Sequence, residues 1–222
     1  MAKPARIVLI HATSVAVEPI VASFRSGWPE AEIVNILDDG LPADRAKDPG
    51  VTPQMFQHFS DLTRYARNRG ADGVLFTCSA FGPAIEQAAK EVSIPVLKPN
   101  EAMFEQAMNC GRRIGMIATF APALASMEEE FDSERDRMKS NAELKSIVVP
   151  AAMDALRAGD VDGHNRLVAQ GMSSLPAVDA IMLAHFSTSR AAPAVSRKTA
   201  IPVLTAPDAA VSKIRRLVSG SD

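Results

Sequence analysis

Aromatic residues are scarce in this chain, about 5% of its 222 residues, so its core has to be assembled from Ala, Val, Ile, Leu and Met. Cysteine is scarcer still. Cys78 and Cys110 do not make a disulfide framework, and a reducing cytoplasm is the expected compartment. No apolar run approaches the length of a membrane span. The first one, Ile7-Val8-Leu9-Ile10, is also too short for the core of a secretory signal. The formal net charge is −2, and the basic clusters are pairs, Arg112-Arg113 and Arg215-Arg216. That argues against nucleic acid as a primary partner. The glycines form no phosphate loop or dinucleotide fingerprint. The histidines and cysteines lack metal-ligand spacing, so neither a cofactor nor a metal is expected.

What the chain does contain is a repeat. Asp72-Gly73-Val74-Leu75-Phe76-Thr77-Cys78 and Asp179-Ala180-Ile181-Met182-Leu183-Ala184-His185 stand 107 positions apart. Ile94-Pro95-Val96-Leu97 meets Ile201-Pro202-Val203-Leu204 at the same offset, and Arg6-Ile7-Val8-Leu9-Ile10 meets Arg113-Ile114-Gly115-Met116-Ile117. Three separate segments in one register point to an ancient duplication. The chain should therefore form two related lobes, 1–98 plus 206–222 and 99–205.

Each half reads as strands alternating with helices. In the first, strands are expected at Ile7 to Ile10, Glu32 to Leu37, Gly73 to Phe76 and Ile94 to Leu97. A helix should begin near Val17 and another cover Pro53 to Asn68. In the second, strands are expected at Ile114 to Ile117, Lys145 to Val149, Ala180 to Ala184 and Ile201 to Leu204. Its helices should open on Ser126 as a cap and cover roughly Asp162 to Ser173. The fold class is thus α/β: two pseudo-symmetric lobes, each a parallel four-stranded sheet flanked by helices. Such sheets bind ligands beyond the carboxyl ends of their strands. There lie His11-Ala12-Thr13-Ser14, Thr77-Cys78-Ser79, Ala118-Thr119-Phe120 and His185-Phe186-Ser187-Thr188. Two facing lobes would gather them around one cleft.

Cys78 is the foremost chemical candidate. It follows an apolar strand and precedes Ser79-Ala80-Phe81-Gly82-Pro83, where Pro suits the first turn of a helix. A thiol at a helix N-terminus has its thiolate stabilised by the dipole and by open amides. The position equivalent to Cys78 is His185. Two proton-transfer residues related in this way would flank a substrate from opposite faces. Cys110 has no chemical neighbours in sequence and reads as structural. His58 and His164 read as surface residues on helices, and Lys98 as an exposed lysine.

These segments together resemble the aspartate/glutamate/hydantoin racemase superfamily. The carriers are Val74-Leu75-Phe76-Thr77-Cys78-Ser79-Ala80, Asp179 to His185, Arg113 to Thr119 and the two Ile-Pro-Val-Leu strands. The resemblance implies cofactor-independent proton transfer at the α-carbon of a small carboxylate, amino acid or hydantoin-like substrate. Two cysteines do this in the family, one as thiolate base and one as thiol acid. Cys78 matches the first, and His185 stands where the second is expected. The resemblance further makes His11, Thr13, Ser14, Ser79, Ala80, Thr119 and Ser187 candidates for substrate contact. It implies a homo-oligomer, and it places the tail after Leu204 on the first lobe.

A Cys and His pair leaves the reaction open. A racemase or isomerase needs both members. A decarboxylase or lyase needs one donor or base on the same scaffold. A two-lobed binding protein needs neither. Few charged residues lie in the site loops, which leans toward a substrate with a single carboxylate.

Overall fold

The computed structural model describes residues 3–48 and 50–220, leaving the side chain of Pro122 aside. Met1, Ala2, Pro49, Ser221 and Asp222, which the two expected lobes include, lie outside the described residues. The strands are β1 (Arg6–His11), β2 (Glu32–Leu37), β3 (Gly73–Phe76), β4 (Val96–Leu97), β5 (Arg113–Ala118), β6 (Glu143–Val148), β7 (Ala180–Leu183) and β8 (Val203–Thr205). The helices are α1 (Val17–Gly27), α2 (Leu41–Arg45), α3 (Pro53–Asn68), α4 (Gly82–Lys90), α5 (Glu101–Cys110), α6 (Leu124–Met138), α7 (Pro150–Arg157), α8 (Val161–Gly171), α9 (Ala192–Ser196) and α10 (Ala206–Ser219). All strand pairs are parallel. The sheet orders are β2-β1-β3-β4 and β6-β5-β7-β8. The chain divides into two compact units. One runs to Asn100 and resumes at Ala210; the other is Glu101–Ala209.

The apolar runs become the inner strands. β3 and β7 are buried throughout, and β1 and β5 from their second residue on. Helices on both faces leave such strands no solvent side. The edge strands β2 and β6 carry the mixed sequences and stay partly exposed. In the first unit, Val8, Ile10, Val74 and Phe76 pack on Met55 and Phe59 of α3 and on Ala84, Ile85 and Ala88 of α4. On its other side, Ile214 and Val218 of α10 close over Gly73, and Arg215 donates to the carbonyl of Gly27 at 2.7 Å. A methyl group at Gly73 would stand 3.0 Å from Ile214 Cδ1, so glycine there lets the helix sit close to the strand.

The duplication extends to individual bonds. Ile7 pairs with Gly73, and Ile114 pairs with Ala180. The amide of Arg6 donates to the Asp72 carboxylate at 2.8 Å; that of Arg113 donates to Asp179 at 2.9 Å. Val74 N–H reaches the carbonyl of Pro95 at 2.8 Å, and Ile181 N–H that of Pro202 at 2.9 Å. Only the second strands break the offset, because Arg6 pairs with Glu32 whereas Arg113 pairs with Glu143. β6 therefore begins two residues before the Lys145 expected from sequence.

One further expectation is corrected. Ser126 does not cap α6. The helix starts at Leu124 with Ala123 in the cap position, and the Ser126 hydroxyl donates back to the Ala123 carbonyl at 3.0 Å. A 3-10 turn, Ala121–Ala123, takes up the chain first, so the hydroxyl falls inside the helix. By contrast α3, expected from Pro53 to Asn68, is capped by Thr52 and has Pro53 at its first position.

Candidate active site

The ladder between β1 and β3 closes at Ile10 and Phe76, and Thr77 N–H adds one more bond to the Ile10 carbonyl at 3.0 Å. Cys78 follows in extended backbone, φ −121° and ψ 120°. Strand alternation puts its half-buried side chain on the face of Val74 and Phe76, against the first unit's core. The chain then makes a 3-10 turn, Ser79–Phe81, before α4 begins at Gly82 with Pro83 in its first turn. Cys78 thus caps the 3-10 turn, not the α-helix itself. The amides nearest it are those of Ser79 and Ala80. Beneath the turn, Phe59 stacks on Phe76 and Phe81, with ring centroids 5.0 and 4.8 Å apart. Truncating such an aromatic costs about 3–5 kcal/mol, which makes this a firm floor.

On the other face Thr77 continues the row of Leu75. Its Oγ1 lies 2.9 Å from His11 Nδ1, and His11 Nε2 lies 2.9 Å from Asn35 Oδ1. His11 is fully buried. Burial lowers its pKa against the smaller opposing effect of Asn35, so the imidazole is neutral. A carbonyl oxygen at Nε2 places the proton there. The Thr77 hydroxyl, with its one proton, lies between Nδ1 and the Ile10 carbonyl, to which it donates at 3.5 Å.

The second unit repeats the frame with other side chains. Its ladder closes at Ile117 and Leu183, and Ala184 N–H reaches the Ile117 carbonyl at 3.0 Å. His185 follows with φ 67° and ψ 152°. For a residue with a side chain this region is strained by about 1–3 kcal/mol. His185 is half-buried, and its Nε2 is buried without a hydrogen-bond partner among the described residues. Burial lowers its pKa. Behind it the hydroxyls of Thr119 and Thr188, both buried, meet at 3.3 Å.

An arginine stands beside each of the two loops. Arg45 of α2 donates from Nε to the Ala80 carbonyl at 3.4 Å, and Arg190 donates from Nε to the Ser187 carbonyl at 3.0 Å. Ala80 and Ser187 are equivalent positions, two residues past Cys78 and His185. The two arginines share no offset, so the sequence repeat does not reveal them. Asn35 escaped for a different reason, since a polar residue on an edge strand carries no site motif, and Thr77 was seen only as a strand-end residue.

Thr13 and Ser14 are exposed at the 3-10 turn that follows β1, and Ser79 and Ala80 are half-buried and exposed. Together with His11 and Cys78 they belong to the first unit; Thr119, His185 and Ser187 belong to the second. His164 is not a surface residue. It is fully buried on α8, with Nδ1 2.9 Å from Asn165 Oδ1, because its face of the helix packs under the loop after β7. His58 is half-exposed on α3 and pairs with Asp38 at 2.7 Å. Lys98 pairs with Glu86 at 2.5 Å and is only partly exposed. Cys110 is exposed as the last residue of α5. Among the described residues no group of three His, Cys, Asp or Glu is placed to hold a metal ion, and no helix is long and apolar enough to cross a membrane.

The family model for Asp/Glu/hydantoin racemases matches residues 38–133. No curated protein matches the chain in sequence. Solved structures do in fold. Allantoin racemase from Klebsiella pneumoniae superposes with a TM-score of 0.69 at 20% identity, over 97% of this chain and 88% of that one. Aspartate racemase from Picrophilus torridus gives 0.69 at 13% identity, over 97% and 94%. A glycine-to-cysteine mutant of arylmalonate decarboxylase, in a sulfate-associated form, gives 0.71 at 17% identity, over 98% and 94%.

Proposed function

We propose that this chain is a member of the Asp/Glu/hydantoin racemase superfamily, as the family match over residues 38–133 supports, and a cofactor-independent isomerase that moves a proton at the α-carbon of a small carboxylate, amino acid or hydantoin-like substrate. Cys78 and His185 are the two proton carriers. The observation that carries this is the buried, unpartnered Nε2 of His185, at the strand-end position equivalent to Cys78. A buried polar nitrogen left without a partner is costly, and a substrate group would complete it.

Burial favours neutral imidazole at His185. The neutral ring has one basic nitrogen, and in this reading it accepts the α-proton. The substrate becomes an enolate and the histidine an imidazolium. The Cys78 thiol returns a proton to the opposite face and becomes a thiolate. Transfer of the proton from imidazolium to thiolate, through water, restores the starting pair. The amides of Ser79 and Ala80 and the hydroxyls of Thr119 and Ser187 are the donors we assign to the carboxylate and the growing enolate charge. Arg45 and Arg190 add positive potential, which suits an anionic substrate.

The inequality of the pair favours a second reading. Cysteine and histidine differ in ordinary pKa, about 8.5 against about 6.5, so the two directions are not equivalent. A decarboxylase needs only one donor to quench its enolate, and Cys78 would serve.

Incubation with amino acids, hydantoins and malonates in deuterated water, followed by NMR and mass spectrometry, separates the readings. Isomerase action incorporates one α-deuterium with no fragment lost, and both C78A and H185Q abolish it. Release of CO2 with H185Q still active would replace it with the decarboxylase reading. No turnover of any class, with ligand binding intact in C78A, would leave a binding protein.

A further inference from the structure

The two units build the same carboxyl edge from different residues at three places. Where the first has His11, Thr77 and Asn35, the second has Ala118, Ala184 and Ser146, the last by strand pairing: Leu9 pairs with Asn35 and Met116 with Ser146. The backbone bonds do not change. Thr77 and Ala184 both donate to the preceding strand at 3.0 Å, and Asp38 and Val149 both donate to the carbonyls of His11 and Ala118, at 2.9 and 2.8 Å. The fold therefore forms without the polar trio. Ser146 shows the cost of removing its members, since its Oγ is buried with no partner among the described residues.

What differs is the next residue. After Thr77 the chain is extended at Cys78, φ −121°; after Ala184 it turns to φ 67° at His185. We propose that His11 is the positioning residue of the Cys78 turn. Through the hydroxyl of Thr77 it holds that residue on the face of Leu75, which aims Cys78 to the opposite one. Asn35 holds the other ring nitrogen at 2.9 Å. Neutral histidine has one donor and one acceptor nitrogen, and both are engaged here, by Asn35 and by Thr77, whose hydroxyl also meets the Ile10 carbonyl at 3.5 Å. The role rests on Cys78 being the reacting group, as proposed above. It also removes His11 from the residues that touch substrate, because both its ring nitrogens are engaged inside the unit.

The variants are supplied by the molecule itself. His11→Ala and Thr77→Ala place in the first unit the residues the second unit carries, so the fold has a precedent for both. The rate of iodoacetamide alkylation at Cys78, divided by that at Cys110 in the same sample, reads the turn without a substrate. Each single variant should lower this ratio about fivefold to tenfold, the worth of one buried hydrogen bond. The double variant should lower it no further, because the two residues act as one chain. Thr77→Ser, which keeps the hydroxyl, should restore it. Where a substrate is turned over, kcat should fall with KM little changed. An unchanged ratio in H11A and T77A, with only a lower Tm, would overturn the role and make the trio structural. Independent, multiplying effects in the double variant would overturn it too. The ratio responds whether or not the chain proves to be an isomerase, so failure of this proposal and of that function are distinguishable.

Discussion

Cys78 and His185 each stand two residues past the last ladder pair of their sheet, Ile10 with Phe76 and Ile117 with Leu183. The frame around them is repeated bond for bond. The side chains and the local backbone are not. One is a thiol in relaxed extended backbone, the other an imidazole in strained backbone with a buried nitrogen left open.

If Cys78 is the reacting thiol, it should differ from Cys110 in kind. Cys110 is the more exposed of the two, and exposure alone would favour it. Iodoacetamide at pH 7, with peptide mass spectrometry, should nonetheless label Cys78 first, because reactivity follows thiolate content. Equal slow labelling of both would remove Cys78 from its assigned role.

The strain at His185 predicts an inverted order of two substitutions. Alanine normally outperforms glycine in stability because it restricts the unfolded chain. At φ 67° and ψ 152° the Cβ remains a penalty, so His185→Gly should be more stable than His185→Ala by about 1 kcal/mol. Urea denaturation of the two variants measures this. Both should lack turnover. An alanine variant as stable as the glycine one would mean the backbone relaxes there, and the strain would then have no part in holding the imidazole.

The repeat made most of this architecture legible. A constant offset of 107 aligned three strands of each unit, and the ladders pair in that same register. It failed at β6, where the preceding helix is longer, 15 residues in α6 against 11 in α1, and the offset shifts. The positions of the candidate residues were legible in the same measure. Cys78, His185 and Thr119 follow from strand ends, which periodicity marks. His11 was named as a candidate and Thr77 only as a strand-end residue, while Asn35 was not named at all. A hydrogen bond from β1 to β2 and β3 depends on register between strands distant in sequence, and no local pattern encodes that. His164 was misread because a lone histidine on a polar-looking helix gives no sign of which face is covered.

Arg45, which donates to the Ala80 carbonyl, predicts a charge preference at the thiol. Iodoacetate and iodoacetamide react by the same displacement and differ in charge. At Cys78 the acetate should gain on the amide relative to the same comparison at Cys110. Arg45→Gln should erase the gain at low ionic strength, and added salt should weaken it in the parent protein. If Arg45→Gln slows both reagents alike, the arginine supports the turn through the Ala80 carbonyl and does not select anions. A substrate with a single carboxylate would then regain the preference that composition of the loops first suggested.

Acid should weaken the fold in a defined window. Burial lowers the pKa of His11, His164 and His185; Arg190 adds to the effect at His164. A histidine with a lowered native pKa binds fewer protons folded than unfolded, so stability falls as the pH drops from the unfolded value near 6.5. The fall ends once the pH is below the native values. Asp179 acts lower. Hydrogen bonds from Arg113 hold its carboxyl at about 2, so its contribution is present above pH ~4 and is lost toward 2. Chemical denaturation at steps from pH 7.5 to 4.5 should show a steady decline beginning near 6.5. His164→Gln, which cannot take up the proton, should make that decline shallower by up to one proton's worth, while Asp179→Asn should leave it unchanged above pH 5. An identical slope in H164Q would show that His164 keeps an ordinary pKa, and that the loop after β7 opens to water more readily than its packing implies.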